Sequence, residues 1–321
     1  MDYAQVRGFN YQPSYGSTSF ENWLYFKPEI VELELRRGKF YFPKMNTIRL
    51  WLSWDAFIRN PASFKSNFEF SLSIADRLGL KVMPILFNRW HDVALDCGGI
   101  YVDHFMPQWN WVYQDNLFDF FLGEVVGEHA ADHRILAWDI CNEPFSYGQP
   151  PEKMKKVAQA ELIWLKRMCD ICRQLGAGQP IGISIHPGHG RKGIELIEPL
   201  CDLLMVHPYY TADDHNEEAK DNYRELLDIY VDVRRQSGKP MLVTETCWGS
   251  LDDAWRVANI RYTLSELKQR ELGFIVHALH HSRVADLHGP ETGPVGTPGN
   301  LAFINENGTI RSGHEVFNDY C

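Results

Sequence analysis

Short apolar runs rich in β-branched residues alternate along this chain with longer stretches whose apolar positions recur at helical spacing. Eight runs predict strands: Val6–Tyr11, Thr47–Ser53, Lys81–Leu86, Ile135–Asn142, Ile181–Ile185, Leu203–His207, Met241–Thr244 and Phe274–Leu279. Between them the spacing predicts helices over Pro28–Arg37, Pro61–Leu78, Asn116–Ala131, Glu152–Leu175, Gly193–Pro199, Glu217–Gln236 and Asp252–Arg270, with a last one over Gly313–Tyr320. Pro61 suits a first helical turn, and Gly79, Gly176 and Gly238 fall where a C-terminal glycine belongs. Alternating strands and helices build a parallel sheet. Eight such units in 321 residues predict an α/β fold, a single (β/α)₈ TIM barrel over residues 1–321. No G-x-G-x-x-G follows the first strand, which removes the main dinucleotide reading.

Composition narrows the partners. A net charge of −10, from 32 basic and 42 acidic residues, argues against a nucleic-acid or anionic-membrane partner. Aromatic residues make up 13% of the chain and suit the apolar faces of sugar rings, although most must serve the core. The seven cysteines are scattered, and several lie in apolar strands as small hydrophobes. With no apolar signal stretch after Met1 and no run of 18 apolar residues, the chain reads as cytoplasmic with reduced thiols; removal of a signal would leave the same pattern. Oligomeric state is left open, and no cofactor or metal is implied.

Two carboxylates stand out. Strand four ends Trp138-Asp139-Ile140-Cys141-Asn142-Glu143-Pro144, and strand seven ends Val243-Thr244-Glu245-Thr246-Cys247-Trp248. A charge at the rim of an apolar strand costs several kcal/mol unless it is partnered or faces a cleft. In barrel enzymes that rim is the catalytic face. Two opposed carboxylates suit glycosidic hydrolysis, where one is protonated to donate to the leaving oxygen and the other is ionised to attack the anomeric carbon. The long segment Phe87–Asp115 carries Trp90, His91, Tyr101, His104, Trp109 and Trp111, and it reads as a wall of the substrate cleft.

In element order and in these motifs, the chain resembles the clan of retaining (β/α)₈ glycoside hydrolases that includes the cellulases and mannanases. By that resemblance Glu143 is the acid/base, Glu245 the nucleophile, and Asn142 the donor to a sugar 2-hydroxyl. Arg49, a charge inside strand two, resembles the arginine that keeps the nucleophile ionised. His207-Pro208-Tyr209 resembles the family His-x-Tyr, with His207 lining the subsite and Tyr209, or else Tyr210, bonded to the nucleophile. Trp248 suits either a sugar-stacking platform or the core. The chain departs from the family at strand eight, where Phe274–His281 carries no tryptophan. A histidine such as His280, or another loop, must serve there.

These readings predict a retaining β-glycosidase acting on carbohydrate, exo-acting on β-linked oligosaccharides or glycosides. They expect Glu143 to be protonated in the free protein and the carboxyl groups to lie roughly 5–5.5 Å apart. The alternative is a secreted endo-β-glycanase of the same mechanism. More remote are a metal-dependent barrel hydrolase using His277, His280, His281 and His288, and a non-catalytic sugar-binding barrel. Cys169-x-x-Cys172 lacks a second pair, and His186-x-x-His189 is expected at the cleft mouth.

Overall fold

The computed structural model describes residues 2–89, 99–106, 116–146, 151–211, 216–286 and 299–321. Eight parallel strands close into a barrel in sequence order: β1 (Arg7–Tyr11), β2 (Thr47–Trp51), β3 (Lys81–Asn88), β4 (Trp138–Asn142), β5 (Ile181–Ile185), β6 (Leu204–Val206), β7 (Met241–Val243) and β8 (Gly273–Val276). β1 closes the ring against β8, pairing Gly8 with Ile275. Because every strand is buried on both faces, the strands read as near-continuous apolar runs. Inside the barrel Val6, Met83, Leu136, Leu203, Met205, Leu242 and Ile275 pack together. Gly182 is needed there, since a Cβ at this position would lie 2.5 Å from Met205 Cε and 2.6 Å from the Leu203 carbonyl.

Outside the barrel run α1 (Ser19–Leu24), α2 (Pro28–Tyr41), α3 (Trp54–Arg59), α4 (Pro61–Arg77), α5 (Asp119–Leu122), α6 (Pro151–Gln174), α7 (Gly190–Ile197), α8 (Glu217–Ser237), α9 (Asp253–Gln269) and α10 (Arg283–Asp286). Pro61 opens α4, and Gly79, Gly176 and Gly238 take positive φ after their helices, as expected. The short helices α1 and α3 carried too few turns to show a periodicity, yet Thr18 and Ser53 cap them at the N-terminus. The helix expected over 116–131 is instead the brief α5 followed by a π-turn at Gly123–Gly127, where two glycines bracket two valines. The last expected helix is a 3₁₀ segment, His314–Tyr320. β4 begins three residues later than expected, Ile135 making only an isolated bridge to Val82. Among the described residues no helix is long and apolar enough to cross a membrane.

The rim is braced from below. Arg89, immediately after β3, is buried and donates to Glu161 of α6 at 2.9 Å, to the Ile100 carbonyl at 3.1 Å and to the Ser146 carbonyl at 3.3 Å. One guanidinium thus ties the segments after β3 and β4 to a barrel helix. Removing it breaks the buried contact between Arg89 and the Glu161 carboxylate. Arg89→Met is therefore expected to cost about 3–5 kcal/mol in urea unfolding, whereas the Arg89→Met/Glu161→Met double variant recovers most of the loss.

Candidate active site

At the C-terminal end of the barrel, Arg49 of β2 is fully buried and reaches five side chains. It donates to Asp139 Oδ2 from Nη2 at 2.7 Å and from Nε at 3.1 Å, to Asn142 Oδ1 at 2.8 Å and to Ser184 Oγ at 2.9 Å. Its Nη1 donates to Asn10 Oδ1 at 3.0 Å and to Glu245 Oε1 at 2.5 Å. Burial alone would depress a guanidinium, but the Asp139 and Glu245 carboxylates outweigh it and hold its pKa above the ordinary value. Asp139, Asn10 and Ser184 were not singled out in the sequence. A polar residue inside an apolar strand was the available signal, and each of them is one.

Glu245 Oε2 accepts from the Tyr209 hydroxyl at 2.8 Å. The neighbouring Tyr210 points away, into a cluster with Tyr223 and Tyr262, so the structure separates the two tyrosines. His207 Nδ1 and His277 Nδ1 lie 3.6 and 3.8 Å from the same oxygen. Burial raises the Glu245 carboxyl, but His207, Arg49, His277 and the Tyr209 hydroxyl together hold it well below the usual carboxylate range. Glu245 is ionised.

Glu143 follows a register shift in the pairing of β4 with β5, and its backbone sits in the left-handed region at φ 48°. A non-glycine residue holds that conformation when its surroundings fix it. Here the Glu143 N–H donates to the Ser184 carbonyl at 3.0 Å. The carboxyl lies 2.7 Å from His207 Nδ1, while His207 Nε2 lies 3.0 Å from Thr244 Oγ1. Burial raises the Glu143 carboxyl, yet the hydrogen bond and charge of His207 prevail and lower it below the ordinary value. The expectation of a protonated Glu143 in the free protein is thereby corrected, because His207 stabilises the carboxylate.

One oxygen from each glutamate and a His207 nitrogen lie within 4.8 Å of one another. Such a trio has metal-ligand spacing. Arg49 and Tyr209 donate into the two oxygens of Glu245, and both His207 nitrogens have partners. Among the described residues the remote histidine set forms no metal-ligand cluster. His277 stands beside Glu245 with its ring edge-on to Trp51, whereas His280 lies elsewhere and His288 falls outside the described residues.

His280 is a second correction. It makes its contacts with α2, lying 3.4 Å from Arg37 Nη1 and 3.7 Å from Glu34 Oε1, and with the His281 carbonyl at 3.1 Å. The chain crosses over β1 here, with the Leu279 N–H donating to the Asn10 carbonyl, and this carries His280 away from the glutamates. Asn142 donates to Asn88 Oδ1 at 3.0 Å and keeps a second amide hydrogen. Trp248 is 43% exposed and meets the Tyr209 ring edge-on at 5.3 Å, so it is not a core residue. Trp90 and His91 lie outside the described residues.

No family model matches the chain, and no curated protein matches it. Solved structures do match, 554 chains among them. The exo-β-1,4-mannosidase Op5Man5 from Opitutaceae bacterium strain TAV5 superposes with a TM-score of 0.69 at 19% identity, over 98% of this chain and 58% of that one. A β-galacturonidase from Eisenbergiella tayi gives 0.67 at 17% identity, over 98% and 50%. The endo-1,4-β-D-mannanase from Thermotoga petrophila RKU-1 gives 0.66 at 12% identity, over 98% of each chain. The chain thus spans little more than half the length of the first two. At these identities the likeness establishes the barrel fold.

The surroundings of His280 have a consequence for stability. Burial, reinforced by Arg37, lowers its pKa to about 4, against the raising effect of its bond to the His281 carbonyl. The unfolded chain, titrating near 6.5, binds more protons between these values, so stability should fall as pH drops from about 6.5 to about 4. Glu34, raised by burial, contributes the opposite slope just above its ordinary range, so a variant isolates the histidine. His280→Gln is expected to flatten the acid side of a denaturation-midpoint-against-pH curve. An unchanged slope would contradict a buried neutral imidazole.

Proposed function

We propose that this protein is a retaining β-glycosidase, with Glu245 as nucleophile and Glu143 as acid/base. The carrying observation is a pair of carboxyl groups within 4.8 Å whose surroundings differ. Retention uses carboxyl groups about 5–5.5 Å apart, and inversion about 6.5–9.5 Å to admit a water. Glu245 is held by donors on both oxygens, as suits a group that stays ionised until it attacks. Glu143 is the more open, its side chain 18% exposed against 8% for Glu245, and its bonded partner is a histidine able to exchange a proton.

In the first step Glu143, once the His207–Glu143 pair has taken up a proton from solvent, gives that proton to the departing oxygen while Glu245 attacks the anomeric carbon. The negative charge on Glu245 is consumed as the glycosyl ester forms, and Arg49 and Tyr209 stand ready to stabilise it again when the ester breaks. In the second step Glu143 takes a proton from the water that attacks the ester. Asn142, at 2.8 Å from Arg49 and with an amide hydrogen to spare, is placed to donate to a hydroxyl of the sugar. Trp248, exposed beside Tyr209, offers a face for the ring on the leaving side.

The substrate proposed is a β-linked oligosaccharide or small glycoside, cleaved from one end. The three structural neighbours are named for cleaving mannosides or galacturonides, two of them β-1,4-mannosides.

Glu143→Ala and Glu245→Ala are both expected to abolish turnover of unactivated substrate, the former by about 10²–10⁴-fold. Azide should rescue each on an activated aryl glycoside, giving the β-glycosyl azide from Glu143→Ala and the α-azide from Glu245→Ala. Full activity of the Glu245 variant would refute the assignment. On defined manno-, gluco-, xylo- and galacto-oligosaccharides, release of single sugars from one end is expected. Midchain cleavage of polysaccharide would make the enzyme endo-acting instead.

A further inference from the structure

His207 is held at both ring nitrogens, and its second partner has no role so far. Thr244 is fully buried at the end of β7, and among the described residues its hydroxyl bonds to His207 Nε2 at 3.0 Å and to nothing else. A threonine hydroxyl brings one proton and two lone pairs. A carboxylate oxygen can only accept, so with Glu143 ionised the ring proton faces it, Nε2 is left as an acceptor and the hydroxyl donates to it. The imidazole proton then resides on Nδ1, aimed at Glu143 Oε1 across 2.7 Å.

We propose that Thr244 is a positioning residue whose hydroxyl satisfies Nε2 of His207 in both protonation states of the ring and so governs when Glu143 carries the proton that acid catalysis needs. This rests on the reading of Glu143 as acid/base. When the His207–Glu143 pair takes up a further proton, rotation about the Thr244 Cβ–Oγ1 bond lets the same oxygen accept from Nε2–H. A rotating hydroxyl therefore satisfies the ring both neutral and charged, which a fixed donor or a fixed acceptor cannot do. Both states of the acid/base pair stay accessible without moving the imidazole. The lowered carboxyl of Glu143 agrees with a ring that donates to it in the resting state.

Other charged and titratable groups face the pair. They are Arg49 of β2, Asp139 of β4, His186 and His189 after β5, Tyr209 after β6, Tyr230 of α8, Glu245 after β7 and His277 after β8. Among the described residues none of them bonds to Thr244 Oγ1. The Thr244 hydroxyl therefore reaches Glu143 by way of His207.

Thr244→Val removes the hydroxyl and keeps the shape, and Thr244→Ser restores it. Thr244→Ala is a second hydroxyl-free variant in case valine unfolds the chain. Nitrogen-15 NMR of histidine-labelled resting protein reads the bonding of each ring nitrogen without any substrate. Native protein and Thr244→Ser should show the Nε2 resonance of His207 displaced by its hydrogen bond, and the hydroxyl-free variants should lose that displacement. Kinetically, the hydroxyl-free variants should cleave a phenyl β-glycoside about 10–100-fold more slowly, with a displaced acid limb in the pH profile of kcat/KM. A 2,4-dinitrophenyl glycoside, whose departure needs no proton, should be affected by less than about threefold. Serine should rescue both readouts. An unchanged Nε2 resonance without the hydroxyl, equal losses on both glycosides, or serine behaving like valine would overturn the proposal. Should neither glycoside be cleaved by native protein, the functional reading fails while the NMR still decides the role of Thr244.

Discussion

A guanidinium sealed inside a β-barrel must be matched donor for donor, and Arg49 is matched by Asn10, Asp139, Asn142, Ser184 and Glu245. These partners come from β1, β4, β5 and the end of β7, so one side chain fixes the relative placement of half the rim. Removing any carboxylate partner would leave buried charge, and removing Arg49 would leave two. The same network fixes the direction of the Glu245 carboxylate and, with His207, His277 and the Tyr209 hydroxyl, holds it well below the usual carboxylate range against its burial.

Glu143 answers to a different neighbour. Its carboxylate leans on His207, and His207 leans on Thr244, a chain of two short contacts running into the barrel wall. The two glutamates are close enough to repel, yet each is met by its own partner, Glu245 by the Arg49 guanidinium and Glu143 by the His207 imidazole. This asymmetry separates a group suited to remain ionised from a group suited to exchange protons. It arises from the residue types in β2 and just after β6.

The barrel was legible in the sequence because both faces of each strand are buried, so the strands appear as apolar runs between glycine- and proline-marked boundaries. Glu143 and Glu245 were legible for the same reason, as charges at the ends of such runs. Asp139, Ser184 and Thr244 were harder to see. In a strand buried on both faces, alternation does not reveal which side chains point inward, and a single polar residue is compatible with either direction. His280 was misplaced because the backbone leaves β8 after Val276 and crosses β1, a turn governed by backbone hydrogen bonds to Asn10 and Ile304 with no local sequence signal. The protonation of Glu143 was likewise set by a contact between residues 64 apart, His207 to Glu143.

The central claim is that the two glutamates act by double displacement. Proton NMR of a freshly started hydrolysis of an aryl β-glycoside reads this directly, before mutarotation mixes the anomers. The β-anomer of the released sugar should appear first. Initial formation of the α-anomer would mean a single displacement by water and would contradict the assignment of Glu245 as nucleophile.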